Sequence, residues 1–343
     1  MEARESFTRD EARFLMQTIL TGSPADIQIA ALLGALAARG ETAVEIAGFA
    51  DAMRGVAIPL PLLDAERALL VDTCGTGGDA SGTFNISTAS ALVAAAAGAT
   101  VAKHGNRAVT SQCGSADVLE ALGIPVDLSP AAAAEAIRSH RFAFLHAPTL
   151  HPTMRAVMPV RRALGVRTLF NIIGPLTNPA GASRQVMGVY APHLVPLVAE
   201  AMSMLGTRRA MVVHGDLQSH LAANGQPAAA YMGLDELSLS GPSHVAEVRG
   251  TQVLLSTVTP EDAGLTRAPL EALLGGDAAT NAAILTAIFA AEPGPRRDVV
   301  ILNAAAVLVT SDLAPDLPAG ARLAQRTIDS GAVTALVSAL SKR

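Results

Sequence analysis

The feature that most constrains this chain is a glycine-rich loop that follows a short strand-like run. Residues 68–71 read Ala-Leu-Leu-Val, and Gly75, Gly77 and Gly78 follow within a few positions. An alanine-rich stretch begins at about Asn85. This order predicts a strand, a loop and a helix. A loop without side chains and the free N–H groups of a helix start are suited to binding an anion such as phosphate.

The loop matches neither of the two common phosphate-binding motifs. A P-loop needs Gly-Lys-Ser/Thr at the start of its helix, whereas Gly78 is followed here by Asp79. The spacing of the glycines also differs from that of the dinucleotide-binding fingerprint. Taken alone, the loop is therefore also compatible with a tight turn that binds nothing.

A basic cluster follows a second strand, predicted at residues 100–102. Lys103, His104 and Arg107 fall close together here, with Gly105 between them. Exposed charges are usually inert, so a solvated surface run is the ordinary interpretation of such a cluster. Parallel α/β sheets, however, bind ligands at the carboxyl ends of their strands. Two anion-binding features at neighbouring strand ends indicate a ligand with at least two phosphate groups.

Composition excludes several classes of protein. Of the 343 residues 50% are hydrophobic, 3% are aromatic and none is Trp, so alanine, leucine and valine must fill the core. A net charge of −5 argues against a general nucleic-acid binder. Cys74 and Cys113 are too few for a disulfide framework and indicate a reducing, cytoplasmic setting. The N-terminus has no apolar signal core, and the longest apolar run is too short to span a membrane.

Hydrophobic periodicity predicts two architectures along the chain. Residues 1–66 read as three short helices, at positions 11–21, 27–38 and 41–53. From residue 67 strands and helices alternate, which is typical of an α/β domain with a central, mostly parallel sheet. Further strands are expected at residues 142–145, 186–190, 209–213, 244–248 and 252–256.

Two local predictions concern segments near the glycine loop. Ser115 is expected to cap a helix that runs to Leu122, because serine accepts hydrogen bonds from the free N–H groups of a first turn. A single helix is expected over residues 151–164.

Several other side chains are candidates for chemistry. The adjacent carboxylates Asp235 and Glu236 stand in a predicted loop and suit Mg²⁺, which prefers oxygen ligands, although ordinary solvated acidic residues are commoner. Asp79 and Ser87 offer further oxygen atoms from the glycine-loop side. Arg161 and Arg162 lie on the predicted 151–164 helix, and one of them would pair with a carboxylate ligand. Four histidines near predicted loops or helix starts are possible general bases. His104 is the candidate for that role, and structural roles are favoured for His146, His151 and His214.

Taken together, these residues resemble the anthranilate phosphoribosyltransferase family almost from end to end of the chain. The matching stretches are Gly75-Thr76-Gly77-Gly78-Asp79, Asn85-Ile86-Ser87-Thr88, Lys103-His104-Gly105-Asn106-Arg107, Gly114-Ser115-Ala116-Asp117-Val118-Leu119-Glu120, His151-Pro152, Arg167-Thr168-Leu169-Phe170-Asn171, Gly174-Pro175-Leu176-Thr177-Asn178-Pro179 and Leu234-Asp235-Glu236.

The resemblance implies transfer of a phosphoribosyl group from phosphoribosyl pyrophosphate to the amine of anthranilate, a step of tryptophan biosynthesis that uses Mg²⁺. The residues expected to bind phosphoribosyl pyrophosphate are Gly75, Gly78, Asp79, Thr83, Asn85, Ile86, Ser87, Thr88, Lys103, His104, Gly105, Asn106, Arg107, Ser111 and Ser115. Anthranilate is expected at Gly75, Asn106 and Arg161, and Mg²⁺ at Ser87, Asp235 and Glu236. The expected catalytic residues are Lys103, His104 and Arg161.

The resemblance also implies an organisation. It predicts a small helical N-terminal domain, residues 1–66 joined by about 167–180, and a larger α/β domain, residues 67–343. It predicts a homodimer formed through the helical domain, acting on small molecules without nucleic acid or membrane.

One stretch departs from the family pattern and keeps alternatives open. In the family, the Leu-Asp-Glu motif follows the late strand within a few residues, whereas residues 216–233 intervene here. Such an insertion can form a lid or displace the second metal site. The alternatives are a phosphoribosyltransferase for another aromatic acid, a pyrimidine nucleoside phosphorylase, and a nucleic-acid-binding relative without catalysis.

Overall fold

The computed structural model describes residues 5–108, 112–217 and 233–342. The chain begins with three helices, α1 (Arg9–Leu20), α2 (Asp26–Arg39) and α3 (Ala43–Val56). Thr8 and Thr42 cap α1 and α3, and in each helix a glutamate three residues later completes a capping box. The three helices confirm the prediction for this part of the chain to within a few residues.

The remaining helices and strands are interspersed up to residue 258, and four α-helices follow. Their bounds, in chain order, are α4 (Asp64–Arg67), β1 (Leu70–Asp72), α5 (Ile86–Ala96), β2 (Thr100–Gly105), α6 (Ser115–Ala121), α7 (Pro130–His140), β3 (Phe142–His146), α8 (Ala147–Leu150), α9 (Met158–Leu164), α10 (Leu169–Ile173), β4 (Arg184–Gly188), α11 (Leu194–Met204), β5 (Arg209–Asp216), β6 (Gly233–Leu234), β7 (Ser243–Arg249), β8 (Gln252–Val258), α12 (Ala278–Phe289), α13 (Pro295–Thr310), α14 (Leu317–Asp329) and α15 (Ala332–Leu340).

One mixed sheet organises the larger part of the chain. Its strand order is β3-β2-β1-β4-β5-β7-β8, with β6 also paired to β5. The first five strands are parallel, and β7 and β8 add an antiparallel hairpin at one edge. The prediction of a central, mostly parallel sheet beside a helical N-terminal part is therefore confirmed. Because β1, β2 and β4 are parallel, the loops at their carboxyl ends meet at one edge of the sheet.

Small side chains fill the core, as the composition required. Helices α5 and α13 are buried over most of their lengths and pack against each other, with alanines on both sides of the contact. A second cluster joins the N-terminal helices to the sheet. It contains Met16 and Phe49 from the bundle, Phe170 and Ile173 from α10, and Met187 from β4. The helical part is therefore continuous with one face of the sheet.

Two local predictions were wrong. Residues 151–164 are not one helix, because a 3₁₀ turn covers Pro152–Ala156 and a separate α-helix begins at Met158. Pro159, which has no N–H, is accommodated in the first turn of α9 rather than inside a continuous helix. Gly114 takes the capping position of α6, and Ser115 is its first helical residue.

Among the helices of the described ranges, none combines the length and apolarity needed to cross a bilayer.

Candidate active site

The glycine loop is held in a fixed shape against the end of β4. Thr76 N–H donates to the Gly188 carbonyl at 2.9 Å, and its hydroxyl accepts from Tyr190 N–H at 3.0 Å. A Cβ on Gly75 would lie 2.9 Å from the Gly188 oxygen, so no side chain fits there. Gly77 has a φ of 63°, which favours glycine. The loop therefore offers bare, positioned backbone at the strand end.

Three carboxylates gather beside this loop. Asp235 Oδ2 accepts from Gly77 N–H at 2.8 Å, and Asp79 Oδ2 accepts from Asp235 N–H at 3.1 Å. Burial and repulsion by Asp79 and Glu236 raise the pKa of Asp235 well above its ordinary value. Burial raises the pKa of Glu236 to about 8, even though Lys103 opposes that shift. The cluster is short of positive charge, which is what a divalent cation supplies.

The insertion at residues 216–233 begins and ends on paired strands, β5 and β6. The described chain stops at Leu217 and resumes at Gly233, and Asp216 and Gly233 are antiparallel partners. This pairing brings Asp235 directly to the glycine loop. The insertion itself, like Ser111, lies outside the described residues.

Lys103 lies beneath the loop. Strand β2 continues to Gly105, three residues beyond the predicted end, so Lys103 falls inside the strand and is 1% exposed. Its Nζ donates to the Thr73 carbonyl at 3.2 Å, the Thr73 hydroxyl at 3.0 Å and the Ser87 hydroxyl at 3.2 Å. The ammonium thus connects the base of the loop to the first turn of α5.

The start of α5 presents backbone rather than side chains. Ile86 and Thr88 are buried, and only Ser87 between them is partly exposed. The predicted roles of Ile86 and Thr88 therefore depend on their backbone rather than their side chains. Of their two N–H groups, that of Ile86 already donates to the Phe84 carbonyl at 2.7 Å. The Asn85 amide bonds to the Cys113 carbonyl at 3.2 Å and accepts from Asn281 at 2.9 Å, which fixes the entry to the helix.

The loop after β2 is pinned by acidic residues of α6. Asp117 Oδ2 accepts from Ala108 N–H at 2.9 Å and from Gly114 N–H at 2.8 Å. The Arg107 guanidinium is bound to Glu120 at 2.6 Å, so its charge is already paired. Asn106 is exposed at the turn. A ligand on this side therefore meets an exposed Asn106 and an Arg107 whose charge is already bound by Glu120.

His104 is a weak base in this fold. It is 4% exposed, and its ring centroid lies 5.2 Å from that of His151, which is equally buried. Burial lowers the pKa of His104 to about 3 and that of His151 to about 4. Within the described residues the ring nitrogens of both have no hydrogen-bond partner. Proton transfer at neutral pH works best with a pKa near 7, so this geometry argues against His104 as general base.

Arg161 is a cation without a carboxylate partner in the described part of the chain. It lies on α9 with its guanidinium carbon 5.2 Å from the Phe170 ring centroid, and burial lowers its pKa. Arg162, on the same helix, is exposed. Of the two arginines proposed for a carboxylate ligand, Arg161 has the desolvated, unpaired guanidinium that suits this role.

The structure also reveals residues to which sequence reasoning gave no role. Arg167 donates to the Gly78 carbonyl and stacks on the Tyr190 ring, 4.4 Å from its centroid, so it clamps the outer side of the glycine loop. Arg167 belongs to one of the matching stretches of the sequence, and that stretch was the available signal. Tyr190 gave no signal.

Asp72 supports the loop from below. Its carboxylate accepts from the N–H groups of Thr73 at 2.7 Å, Cys74 at 3.1 Å and His104 at 3.1 Å, and from the Asn178 amide at 2.8 Å. Burial raises its pKa to about 6. Atoms of Asp72, Cys74 and His104 lie within 4.8 Å of one another. Because the carboxylate is already saturated with donors, we assign this group to structure rather than to a metal.

Comparisons with known proteins agree over nearly the whole chain. A family model described as the glycosyl transferase family, a/b domain, matches residues 67–334, and one described as the helical bundle domain of the same family matches residues 2–57. The chain is 51% identical to an anthranilate phosphoribosyltransferase from Chloroflexus aggregans, over 96% of this chain and 92% of that protein. It is 50% identical to one from Roseiflexus castenholzii, over 97% and 93%.

Solved structures give the same result. An anthranilate phosphoribosyltransferase from Thermus thermophilus superimposes with a TM-score of 0.88 at 42% identity, covering 98% of this chain and 96% of that one. The enzyme of the same name from Saccharomyces cerevisiae, in complex with PRPP and Mg, gives a TM-score of 0.81 at 25% identity, covering 97% and 92%.

Proposed function

The chain belongs to the anthranilate phosphoribosyltransferase family of glycosyl transferases, and we propose that the strand-end site described above carries out that reaction. The enzyme transfers the phosphoribosyl group of phosphoribosyl pyrophosphate to the amine of anthranilate, releasing pyrophosphate in tryptophan biosynthesis. One observation supports the assignment above all others. A glycine loop, a buried lysine and a carboxylate cluster short of positive charge meet at neighbouring strand ends.

The donor would lie across the glycine loop and the first turn of α5. In this proposal the pyrophosphate contacts the backbone of the loop and those N–H groups of Asn85 to Thr88 that are not already bonded within the chain, with Thr83 and the turn at Asn106 beside it. The second wall runs from Lys103 to Ser111 and Ser115. Lys103 contributes its charge from beneath, through the Ser87 and Thr73 hydroxyls that it contacts. Fixed dipoles around a desolvated site stabilise charge that develops on a leaving group.

Mg²⁺ fits the donor set present here. Ser87, Asp235 and Glu236 would hold it, with Asp79 adjacent, because the raised pKa values of Asp235 and Glu236 reflect carboxylates that lack a compensating cation. When bound, the ion neutralises charge on the pyrophosphate. The yeast relative crystallised with PRPP and Mg supports the same assignment.

Anthranilate would be oriented by Arg161 through its carboxylate, with Asn106 and Gly75 beside it. An aromatic amine next to a carboxylate is a poor nucleophile, so holding it close to the ribose C1 is the main contribution of the protein. The amine loses its proton after the C–N bond forms. Because His104 has a pKa of about 3, release of that proton to solvent is the better proposal.

The same proposal includes a two-domain organisation and a dimer. Residues 1–66, with about 167–180, form the small domain, and residues 67–343 form the large one. On the small domain, Phe14 is 70% exposed and Ile27 is 77% exposed. Large apolar side chains so exposed commonly lie in interfaces, which supports a homodimer through these helices. Light scattering would test this, and a monomer at micromolar concentration would contradict it. The cytoplasmic location stays a prediction.

The activity is tested by the loss of anthranilate fluorescence on mixing with phosphoribosyl pyrophosphate and Mg²⁺. A panel of substituted benzoates tests the choice of acceptor, and thymidine with phosphate tests the phosphorylase alternative. Turnover of thymidine, or of a benzoate in preference to anthranilate, would overturn the assignment.

Arg161→Gln tests how the acceptor is bound, with Arg162→Gln as the matched control on the same helix. Loss of a bidentate charge pair should raise the KM for anthranilate by about 10- to 100-fold while leaving the KM for phosphoribosyl pyrophosphate unchanged. Arg162→Gln should behave as wild type, because Arg162 is exposed. Equal effects of the two substitutions would contradict the role given to Arg161.

A further inference from the structure

A cavity of about 390 Å³ lies away from the glycine loop. It opens between the end of α3, the segment after α10, and the turns that lead into β4 and β5, so it faces the amino ends of those strands. The catalytic site lies at the carboxyl ends of the parallel strands. A volume of this size is at the lower end of what small-molecule sites in proteins have.

Arg54 contributes a positive charge to the cavity, and no carboxylate of the described residues forms an ion pair with it. Its Nε donates to the Leu176 carbonyl at 2.7 Å and its Nη1 to the Leu205 carbonyl at 3.2 Å. The nearby Asp51 is already bound to Arg9 at 2.7 Å. The Arg54 side chain is exposed to water, yet burial lowers its pKa, a combination expected for a cation on a concave wall.

Arg67 adds a second guanidinium held in the same way. Its Nη1 donates to the Ala180 carbonyl at 2.6 Å and its Nη2 to the Leu60 carbonyl at 2.7 Å. Carbonyl groups fix the position of a guanidinium but do not neutralise it. No Asp or Glu occurs among the described residues that line the cavity. Two arginines in this state favour an oxyanion, which they can bind through charge-assisted hydrogen bonds.

The rest of the wall is mixed, with Pro59, Pro175, Pro179, Leu176 and Leu205 forming an apolar part. Asn178, Ser183, Gln185 and Thr207 form a polar part. Inorganic phosphate alone would leave this apolar part of the cavity unfilled. The lining therefore matches an anionic group carried on a compact apolar body.

The cavity also touches the support of the glycine loop. Gln185 lines it and donates to two carbonyls, that of Pro175 at 2.9 Å and that of Cys74, at the start of the loop, at 3.0 Å. Asn178 also lines it and donates to the Asp72 carboxylate at 2.8 Å. A ligand that moves the segment containing Pro175 therefore acts on hydrogen bonds that position the loop.

We propose that this cavity binds a small organic anion, a carboxylate or phosphate on a compact apolar body, and that occupancy changes the affinity of the glycine loop for phosphoribosyl pyrophosphate. The site is separate from the acceptor position at Arg161. It goes beyond the transferase reaction, and its occupancy can be measured without turnover.

The binding test uses 4-iodobenzoate, because the anomalous signal of iodine locates it in crystals. Soaked wild-type crystals should show iodine in the cavity, and calorimetry should show about tenfold or greater weakening of that site in Arg54→Gln. Arg161→Gln is the control that should lose only binding at the acceptor position. Arg54→Lys keeps a positive charge, so its affinity for 4-iodobenzoate in the cavity should lie between those of wild type and Arg54→Gln.

Several results would overturn the proposal. Iodine found only near Arg161 would do so, as would equal affinities for wild type and Arg54→Gln. A third result concerns inorganic phosphate. If phosphate binds in a way that depends on Arg54 while 4-iodobenzoate does not bind at all, the cavity does not take an organic anion. The wild-type crystal result stands even if a variant fails to fold.

The coupling is tested by kinetics. At concentrations of 4-iodobenzoate that fill the cavity, the KM for phosphoribosyl pyrophosphate should change several-fold in wild type and not in Arg54→Gln. Competition with anthranilate at the catalytic site should persist in both proteins. An unchanged KM for the donor with the cavity demonstrably occupied would refute the coupling.

Discussion

Two groups of buried carboxylates in this protein have opposite electrostatics. In the helical part, Glu45 is fully buried and its carboxylate binds Arg39 at 2.6 and 2.7 Å. The N–H groups of Phe7 and Thr42 also donate to it, and together these bonds lower its pKa despite burial. At the glycine loop, burial and mutual repulsion instead raise the pKa values of Asp235 and Glu236.

The difference lies in where the compensating charge comes from. The helical part carries its own cation, so Glu45 stabilises the fold. At the loop, Lys103 only partly offsets the burial of Glu236, and the repulsion between Asp79 and Asp235 still raises the pKa of Asp235. Sites that keep uncompensated charge in the folded state are commonly functional, because a ligand of opposite charge compensates it. A Mg²⁺-bearing diphosphate is the ligand proposed here.

The largest expected effect follows from removing the excess negative charge at the glycine loop. The double substitution Asp235→Asn with Glu236→Gln should lower kcat/KM by about 1000-fold, because the metal loses its ligands. In metal-free buffer the same protein should unfold about 2–4 °C higher, because repulsion is relieved. Anthranilate fluorescence and calorimetry measure the two quantities. Loss of activity together with a lower unfolding temperature would mean that these carboxylates support the fold, as Glu45 does.

Glu45→Gln should have the reverse pattern. It leaves Arg39 without its partner, and since the Arg39 side chain is 22% exposed, the free energy of unfolding should fall by about 2 kcal/mol rather than the larger value of a fully buried pair. Turnover per folded molecule should stay unchanged. Denaturant titration measures this, with Glu11→Gln as control because Glu11 has the same capping role on α1 but is exposed. If the control destabilises the protein as much, capping rather than charge pairing explains the effect.

The remaining prediction is a pair of opposite pH dependences of the free energy of unfolding. The pKa of Glu45 is lowered from 4.5, so its contribution to stability is present above about pH 4.5 and is lost as the pH falls through the folded value. The pKa of Glu236 is raised from 4.5 to about 8. Its contribution is therefore present below pH 4.5 and is lost as the pH rises through 8.

Unfolding measured between about pH 3 and 9 without metal checks both signs. Glu45→Gln should reduce the loss of stability at acid pH. Glu236→Gln, or added Mg²⁺, should reduce the loss of stability at alkaline pH. A wild-type protein whose stability rises from about pH 5 to 8 in the absence of metal would contradict the electrostatics described for Glu236.

Much of the fold was predictable because its signals are local. The apolar periodicity of the first three helices, the glycines of the loop and the paired strands at residues 244–248 and 252–256 each depend on residues a few positions apart. Errors arose where a signal could be read in two ways. Residues 151–164 have helical periodicity throughout, but Pro159 decides where a new helix starts. The burial of Lys103 was missed because a lysine after an apolar run resembles a strand end.

The sequence by itself determined the family, the elements and the residue types available for phosphate and metal binding. Only the tertiary structure decided which of them act together. Gly77 and Asp235 are 158 positions apart, and their hydrogen bond exists because β5 and β6 pair beside the loop. The pKa shifts, the paired state of Arg107 and the cavity at Arg54 likewise depend on burial and on distant partners. Spacing along a chain carries no information about those quantities, because burial and charge pairing are set by which surfaces meet.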